Sequence, residues 1–268
     1  MKISALLIIL SLMVACSTNP LTGRKSLALV GDAEIIPQSF TQYKEVLAKN
    51  KVDANSENAK MIKRVGERLR IAAEKFYTQA GLANELANYK WEYNLIVSEE
   101  LNAWCMPGGK IAFYTGIMPV CSTEAGIAVV MGHEISHALA KHSAERLSQQ
   151  YAASSIGNVI GVAGTGRTWA GVFNQLYPVA SSLTVLSYGR KQELDADKAG
   201  LFLMAMAGYD PREAPKFWQR MKEKAQASGN QKPPQFLSTH PGDDNRITQI
   251  NQYMPEALTY YKAATGKN

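Results

Sequence analysis

The fifteen residues VVMGHEISHALAKHS, Val129 to Ser143, constrain this chain more than any others, because they gather three of its four histidines into an apolar stretch. Their periodicity predicts one buried helix running from Glu124 to about Gln150, with Ser122 or Thr123 as its N-cap. A helix turns about 100° per residue, so His133 and His137 fall about 40° apart and one turn up, where both imidazoles reach one ion. Glu134 projects beside that pair, where a carboxylate takes a proton from water. Without such a use, two buried imidazoles and a carboxylate would each need another partner. His142 lies nine residues past His133, about 180° around the same helix, and is expected to face away from the ion as a structural or surface residue. The HExxHxxGxxH pattern, which supplies a third histidine locally, also fails: Ala140 stands at the Gly and Ser143 at the last His.

A third ligand must therefore come from elsewhere. The best candidate is Glu193 in RKQELDAD, which shares one helical face with Asp197 four residues on, while Asp195 points away from both. Two histidines and a carboxylate favour zinc over cobalt or manganese, one ion per chain.

His133-Glu134-Ile135-Ser136-His137 followed on a later helix by Glu193-Leu194-Asp195-Ala196-Asp197 resembles the HExxH and ExxAD signature of the metallopeptidases that include the CAAX prenyl endopeptidases and HtpX-like proteases. The resemblance implies an α+β fold, mainly α, with a gluzincin-like core: an active-site helix, a second helix bringing Glu193, and a small antiparallel sheet with an edge strand. It implies that Glu134 is the catalytic base and that Asp197 orients a ligand histidine. Asn102-Ala103-Trp104 is similar to the family's edge strand, which receives a peptide substrate as an added strand. Ser238-Thr239-His240-Pro241 with Arg246 resembles its late His-Pro element, whose histidine, here His240, donates to the oxyanion. Polypeptides are the implied partners.

The first residues join Lys2 to an apolar run ending at Ala15, which reads as a signal peptide over 1–15. Met13-Val14-Ala15-Cys16 resembles a lipobox, so Cys16 is expected to carry lipid at the periplasmic face of a bacterial outer membrane. Residues 16–50 are then a tether whose later half docks, and 51–268 the metallopeptidase domain. No later segment is a convincing span, which points to the soluble lipoprotein branch of the family and to misfolded or unassembled envelope proteins as substrates. The other reading is a metal-containing periplasmic chaperone or assembly factor, its proteolysis latent under a helical hairpin formed by the apolar stretch from Ala152 to Leu186.

The formal charge of +6 is spread along the chain without basic runs, which gives no support to nucleic-acid binding. Cys105 and Cys121 are the cysteines left after Cys16, and both a disulfide between them and two buried thiols fit the sequence. Helical spacing predicts a helix from Asn58 to Gly81 capped by Asn55 or Ser56, another from Arg190 to Gly208, one near Ala214 to Gln226 and a last one from Asn245. Alternation predicts strands on either side of Pro107-Gly108-Gly109 and before them, and QKPPQFLSTHPGDD reads as a loop.

Overall fold

A computed structural model describes residues 16–27, 29–159, 171, 188–227, 234–240 and 245–267. The expected signal peptide, Pro241 and most of the stretch from Ala152 to Leu186 lie outside the described residues. The fold is mainly helical with small sheets, as expected of a gluzincin-like core.

Residues 16–50, expected as a tether whose later half docks, pack on the body in both halves of their described residues. Strands β1 (Cys16–Thr18) and β2 (Lys25–Leu27) pair antiparallel, and α1 (Asp32–Lys49) follows. The sequence reading missed α1. Its stripe of Ile35, Tyr43 and Val46 is buried against one face of a four-stranded sheet, and Tyr43 donates a 2.7 Å hydrogen bond to the Ile111 carbonyl.

That sheet has the order β3 (Val52–Asp53), β4 (Glu92–Ile96), β6 (Lys110–Tyr114), β5 (Ala103–Met106). β5 and β6 form the expected hairpin. Its turn has Pro107 at the second position and Gly108 at the third with φ 82°, which is the left-handed placement that a type II turn reserves for glycine. The sheet is mixed rather than wholly antiparallel, since β4 runs parallel to β6. The reason is the connection after β4: it carries the chain past the end of the sheet to the outer position, so β5 returns at the edge and β6 inserts between, in the direction of β4. Both faces are covered, with Tyr93, Leu95, Cys105, Ile111 and Phe113 turned toward one helical layer. Ile96, Trp104, Met106, Ala112 and Tyr114 turn toward α1.

The helical layer starts with α2 (Glu57–Gln79), where Ser56 Oγ accepts from the Ala59 amide and Ile62, Val65, Leu69 and Ala72 are buried at helical spacing. After the short α3 (Met118–Cys121) comes α4 (Glu124–Leu139), whose N-cap Thr123 accepts from the Gly126 amide at 3.1 Å. Every residue of α4 from Gly126 onward is buried. The single helix expected through Gln150 is in fact two. Ala140 ends α4, Lys141 takes a left-handed φ of 56°, and α5 (His142–Val159) sets off in a new direction. Lys141 is held in that conformation from outside, its ammonium lying 3.1 Å from Glu85 and 3.3 Å from Asp32.

α6 (Arg190–Met206), α7 (Glu213–Ala227) and α9 (Arg246–Thr265) match the expected helices. Part of the expected late loop is a short helix, α8 (Gln235–Thr239), tied to the segment before β5 by a 3.0 Å bond from the Phe236 amide to the Leu101 carbonyl. Cys105 and Cys121 are separate buried thiols rather than a disulfide. Burial raises the pKa of both, that of Cys121 to about 12, and keeps them protonated and unreactive. Among the described residues no single helix is long and apolar enough to cross a membrane. Thr115–Cys121 and Glu124–Leu139 pass that test only together, bent by 118°.

A close helix contact positions the site. α4 and α6 cross where Gly132 meets Gly200, and a methyl group on Gly200 would stand 2.7 Å from the His133 amide nitrogen and 2.9 Å from the Gly132 carbonyl carbon. Neither backbone can give way inside a packed core. Gly200→Ala is expected to lower unfolding free energy by about 1–3 kcal/mol in denaturant titration, with zinc content of the purified protein reduced in parallel.

Candidate metal centre

The α4–α6 crossing brings His133, His137 and Glu193 together. The two Nε2 atoms stand 3.0 Å apart, and Glu193 reaches within 3.4 Å of His137 Nε2 and 3.6 Å of His133 Nε2. His240, just past α8, joins them: its Nδ1 lies 3.2 Å from His133 Nε2 and 3.0 Å from Glu193 Oε1. One donor atom from each of the four residues falls within 4.8 Å of all the others, and all four side chains are buried.

Hydrogen bonds behind the imidazoles decide which nitrogen faces inward. His133 Nδ1 donates to Asp197 Oδ1 at 2.9 Å, which leaves its Nε2 lone pair pointing at the cluster. His137 does the same through a relay. Its Nδ1 lies 2.8 Å from His142 Nδ1, and His142 Nε2 donates to Asp195 Oδ2 at 3.0 Å. Asp195 thus fixes the His142 tautomer, which fixes that of His137. Asp195 in turn accepts from the β1–β2 hairpin: from Asn19 Nδ2 at 3.0 Å, from the Thr22 hydroxyl, and from Arg24 Nε at 2.9 Å. Burial alone would raise the Asp195 pKa, but His142 and these three donors hold it well below the usual carboxylate range.

The donor set fits a cation. Two inward-facing lone pairs 3.0 Å apart have no hydrogen between them, and beside them lies the buried carboxylate of Glu193. Zinc takes nitrogen and oxygen donors in a four-coordinate arrangement, and contacts of 3.0–3.6 Å between donors are what such a shell requires. Burial would also push the Glu193 carboxyl up, yet the charge and the hydrogen bond of His240 keep it well below its ordinary range, ready to bind as an anion. Burial drives His137 well below the ordinary histidine value, so it stays neutral and able to ligate.

Glu134 sits at the edge of the cluster. Its Oε1 is 3.3 Å from His240 Nε2, and the Cys105 backbone of β5 hydrogen-bonds to it. Burial raises the Glu134 pKa, partly offset by His240 and His133. His240 is raised, because Glu134 and Glu193 outweigh the burial that would lower it. Arg246, buried on α9, braces the carboxylates. Its Nη2 donates to Asp197 Oδ1 at 2.6 Å and lies 3.2 Å from Glu193 Oε2, and its guanidinium stacks 3.5 Å from the centre of the Trp218 ring.

β5 is the sheet edge, as expected for Asn102-Ala103-Trp104. The Tyr114 amide donates to the Asn102 carbonyl, so alternation turns the backbone groups of Ala103 and Cys105 outward and those of Asn102 and Trp104 toward β6. Asn102, Ala103 and Trp104 are all buried, and the Trp104 ring packs edge-on against Tyr43 behind the sheet.

One sequence expectation fails here, and another holds for a reason that the sequence does not give. His142 was placed on the far side of a continuous helix, but the turn at Lys141 swings it under His137. Asp195, expected to point away from its neighbours, does so only to reach His142 and the hairpin. The hairpin itself is not among the sequence expectations; its signals are the turn residues of Asn19-Pro20 and Thr22-Gly23, which read equally as a tether. Tyr188, which stacks 3.8 Å from the His137 ring at 21°, was also missed.

Two helices that present His-Glu-x-x-His and a distal glutamate to one buried point define a metallopeptidase centre. The chain belongs to peptidase family M48, whose model matches residues 58–254. Metallopeptidases of this family use zinc. The chain is 36% identical over 172 residues to the mitochondrial metalloendopeptidase OMA1 of Schizosaccharomyces pombe, covering 64% of this chain and 49% of that protein. It is 28% identical over 255 residues to the mitochondrial metalloendopeptidase OMA1 of Homo sapiens, covering 90% of this chain and 46% of that protein. It is 25% identical over 183 residues to the beta-barrel assembly-enhancing protease of Yersinia pestis, covering 62% of this chain and 35% of that protein. The chain therefore spans about a third to a half of the length of these relatives.

The relay behind His137 is testable. His142→Phe is expected to weaken zinc binding about 10- to 100-fold in chelator competition, with far-UV circular dichroism unchanged.

Proposed function

We propose that this protein is a zinc-dependent endopeptidase whose ligands are His133, His137 and Glu193. The observation that carries this reading is the position of Glu134, a buried carboxylate between the donor cluster and the outward-facing backbone of β5. Zinc held there supplies Lewis acidity at the scissile carbonyl. A substrate lies extended along β5 and pairs with the outward backbone groups of Ala103 and the outward Cys105 carbonyl, which fixes the scissile bond in register. Glu134 accepts a proton from the attacking water and delivers it to the leaving amine; its raised pKa suits both halves of that transfer. His240 donates to the developing oxyanion, and Asp197 orients His133 for ligation.

The substrates proposed are misfolded or unassembled envelope polypeptides. The Yersinia relative named for β-barrel assembly supports an outer-membrane, periplasmic setting, in which Cys16 is the lipidated residue, 1–15 the signal peptide and 51–268 the peptidase domain of a lipoprotein branch. The OMA1 relatives are named as mitochondrial, and they support endopeptidase activity rather than that location.

One observation favours the second reading, a metal-containing chaperone or assembly factor with latent proteolysis. His240 stands inside the donor cluster, where it competes with a substrate carbonyl for room. Caseinolysis separates the two. Glu134→Gln is expected to keep its zinc and lose at least about 100-fold in rate; undiminished cleavage would rule the mechanism out. His240→Ala is expected to slow cleavage about 100-fold as a lost oxyanion donor, whereas a faster rate would favour latency.

A further inference from the structure

A second, strongly basic cavity of about 430 Å³ lies behind the metal centre, between the start of α6 and the first turns of α5. Arg24, Arg146, Arg190 and Lys191 line it, against a single carboxylate among the described lining residues, that of Glu145. Glu145 is already committed. Arg24 grips both of its oxygens at 3.1 and 2.6 Å, and Gln192 Nε2 donates to it at 2.8 Å. Arg24 spends its remaining reach on Asp195.

Arg146 is left over. Its side chain lines the cavity at 7% relative exposure, yet among the described residues it makes no hydrogen bond or ion pair. Its guanidinium lies over the Tyr188 ring, whose centre is 4.8 Å from Cζ. The chain between Gln150 and Gly189 contains no Asp or Glu that could serve it. A guanidinium that faces a cavity without an anion is left uncompensated, and five donors in a planar fork are matched by the oxygens of a phosphate. The cavity offers a second anchor. α6 opens on it at Gly189, which has no side chain to cap the first-turn amides, so the positive end of a 17-residue helix meets the same space.

We propose that this cavity is a binding site for a phosphate group, with Arg146 as the principal ligand and the N-terminus of α6 and Lys191 completing it. Arg146 and the helix terminus are not balanced by Glu145, which Arg24 already holds, and the volume admits a phosphate monoester or a glycerophospholipid headgroup. The site is separate from the zinc ligands and does not depend on the proposed proteolysis. Arg146 nevertheless lies over Tyr188, which stacks on His137.

The test is calorimetric titration of the zinc-loaded full chain at constant ionic strength, with inorganic phosphate in one arm and dihexanoyl phosphatidylglycerol below its micelle concentration in the other. Saturable binding is expected with at least one probe, weakened about tenfold or more by Arg146→Gln and partly regained in Arg146→Lys, with zinc content unchanged. Binding of phosphate identifies a free anion as the source, and Arg146-dependent binding of phosphatidylglycerol alone identifies a headgroup. If Arg146→Gln fails to fold, Lys191→Gln on the exposed rim is expected to weaken binding about threefold. Absence of saturable binding by either probe, or equal affinity in the wild type and the folded variants, overturns the site.

Discussion

The contact between Gly132 and Gly200 governs the rest of this molecule. Helices packed through ordinary side chains keep their axes about 8–10 Å apart, and at that distance short carboxylates on α6 would not bridge to imidazoles on α4. Removing the side chains at the crossing lets the backbones touch. Asp197, one turn before Gly200, then meets the back of His133, and Glu193, two turns before it, meets the front of both histidines. Sequence spacing along α6 becomes depth within the site.

Such proximity has a cost, because it buries ionisable groups that water would otherwise stabilise. The chain offsets it by giving each group a fixed partner of opposite demand. Asp197 serves His133, Arg246 serves Asp197, and Trp218 covers the guanidinium. On the other side Asp195 serves His142, which serves His137. Both wires end by turning an Nε2 lone pair inward. Within the donor cluster that compensation is incomplete, as the two facing Nε2 lone pairs of His133 and His137 show. Incomplete satisfaction in a dry interior is how a protein reserves a place for a cation.

Much of this was legible in the sequence wherever the signal was periodic and local. Helical spacing placed α2, α4, α6 and α9, and HExxH with a later glutamate identified a set of side chains that the fold does bring together. Geometry that depended on single dihedrals was not legible. Lys141 adopts a left-handed conformation without glycine or asparagine to announce it, so one helix was read where two exist and His142 was assigned to the wrong side. The parallel pairing of β4 with β6 follows from the route of a connection, which alternation does not encode. α1 was hidden because Pro37 and the polar residues around it look like tether, and its apolar stripe makes sense only once the sheet face it covers is known. His240 was reached by family resemblance alone, since nothing in helix geometry ties a loop residue to α4.

The β1–β2 hairpin gives the earliest described part of the chain a mechanical role. Cys16 begins β1, and the loop that follows locks onto Asp195 through Asn19, Thr22 and Arg24. Tension applied at the start of this segment is therefore borne by the same carboxylate that steadies the His142–His137 relay. Whatever tugs on the chain there pulls, three bonds removed, on the orientation of a metal-facing imidazole.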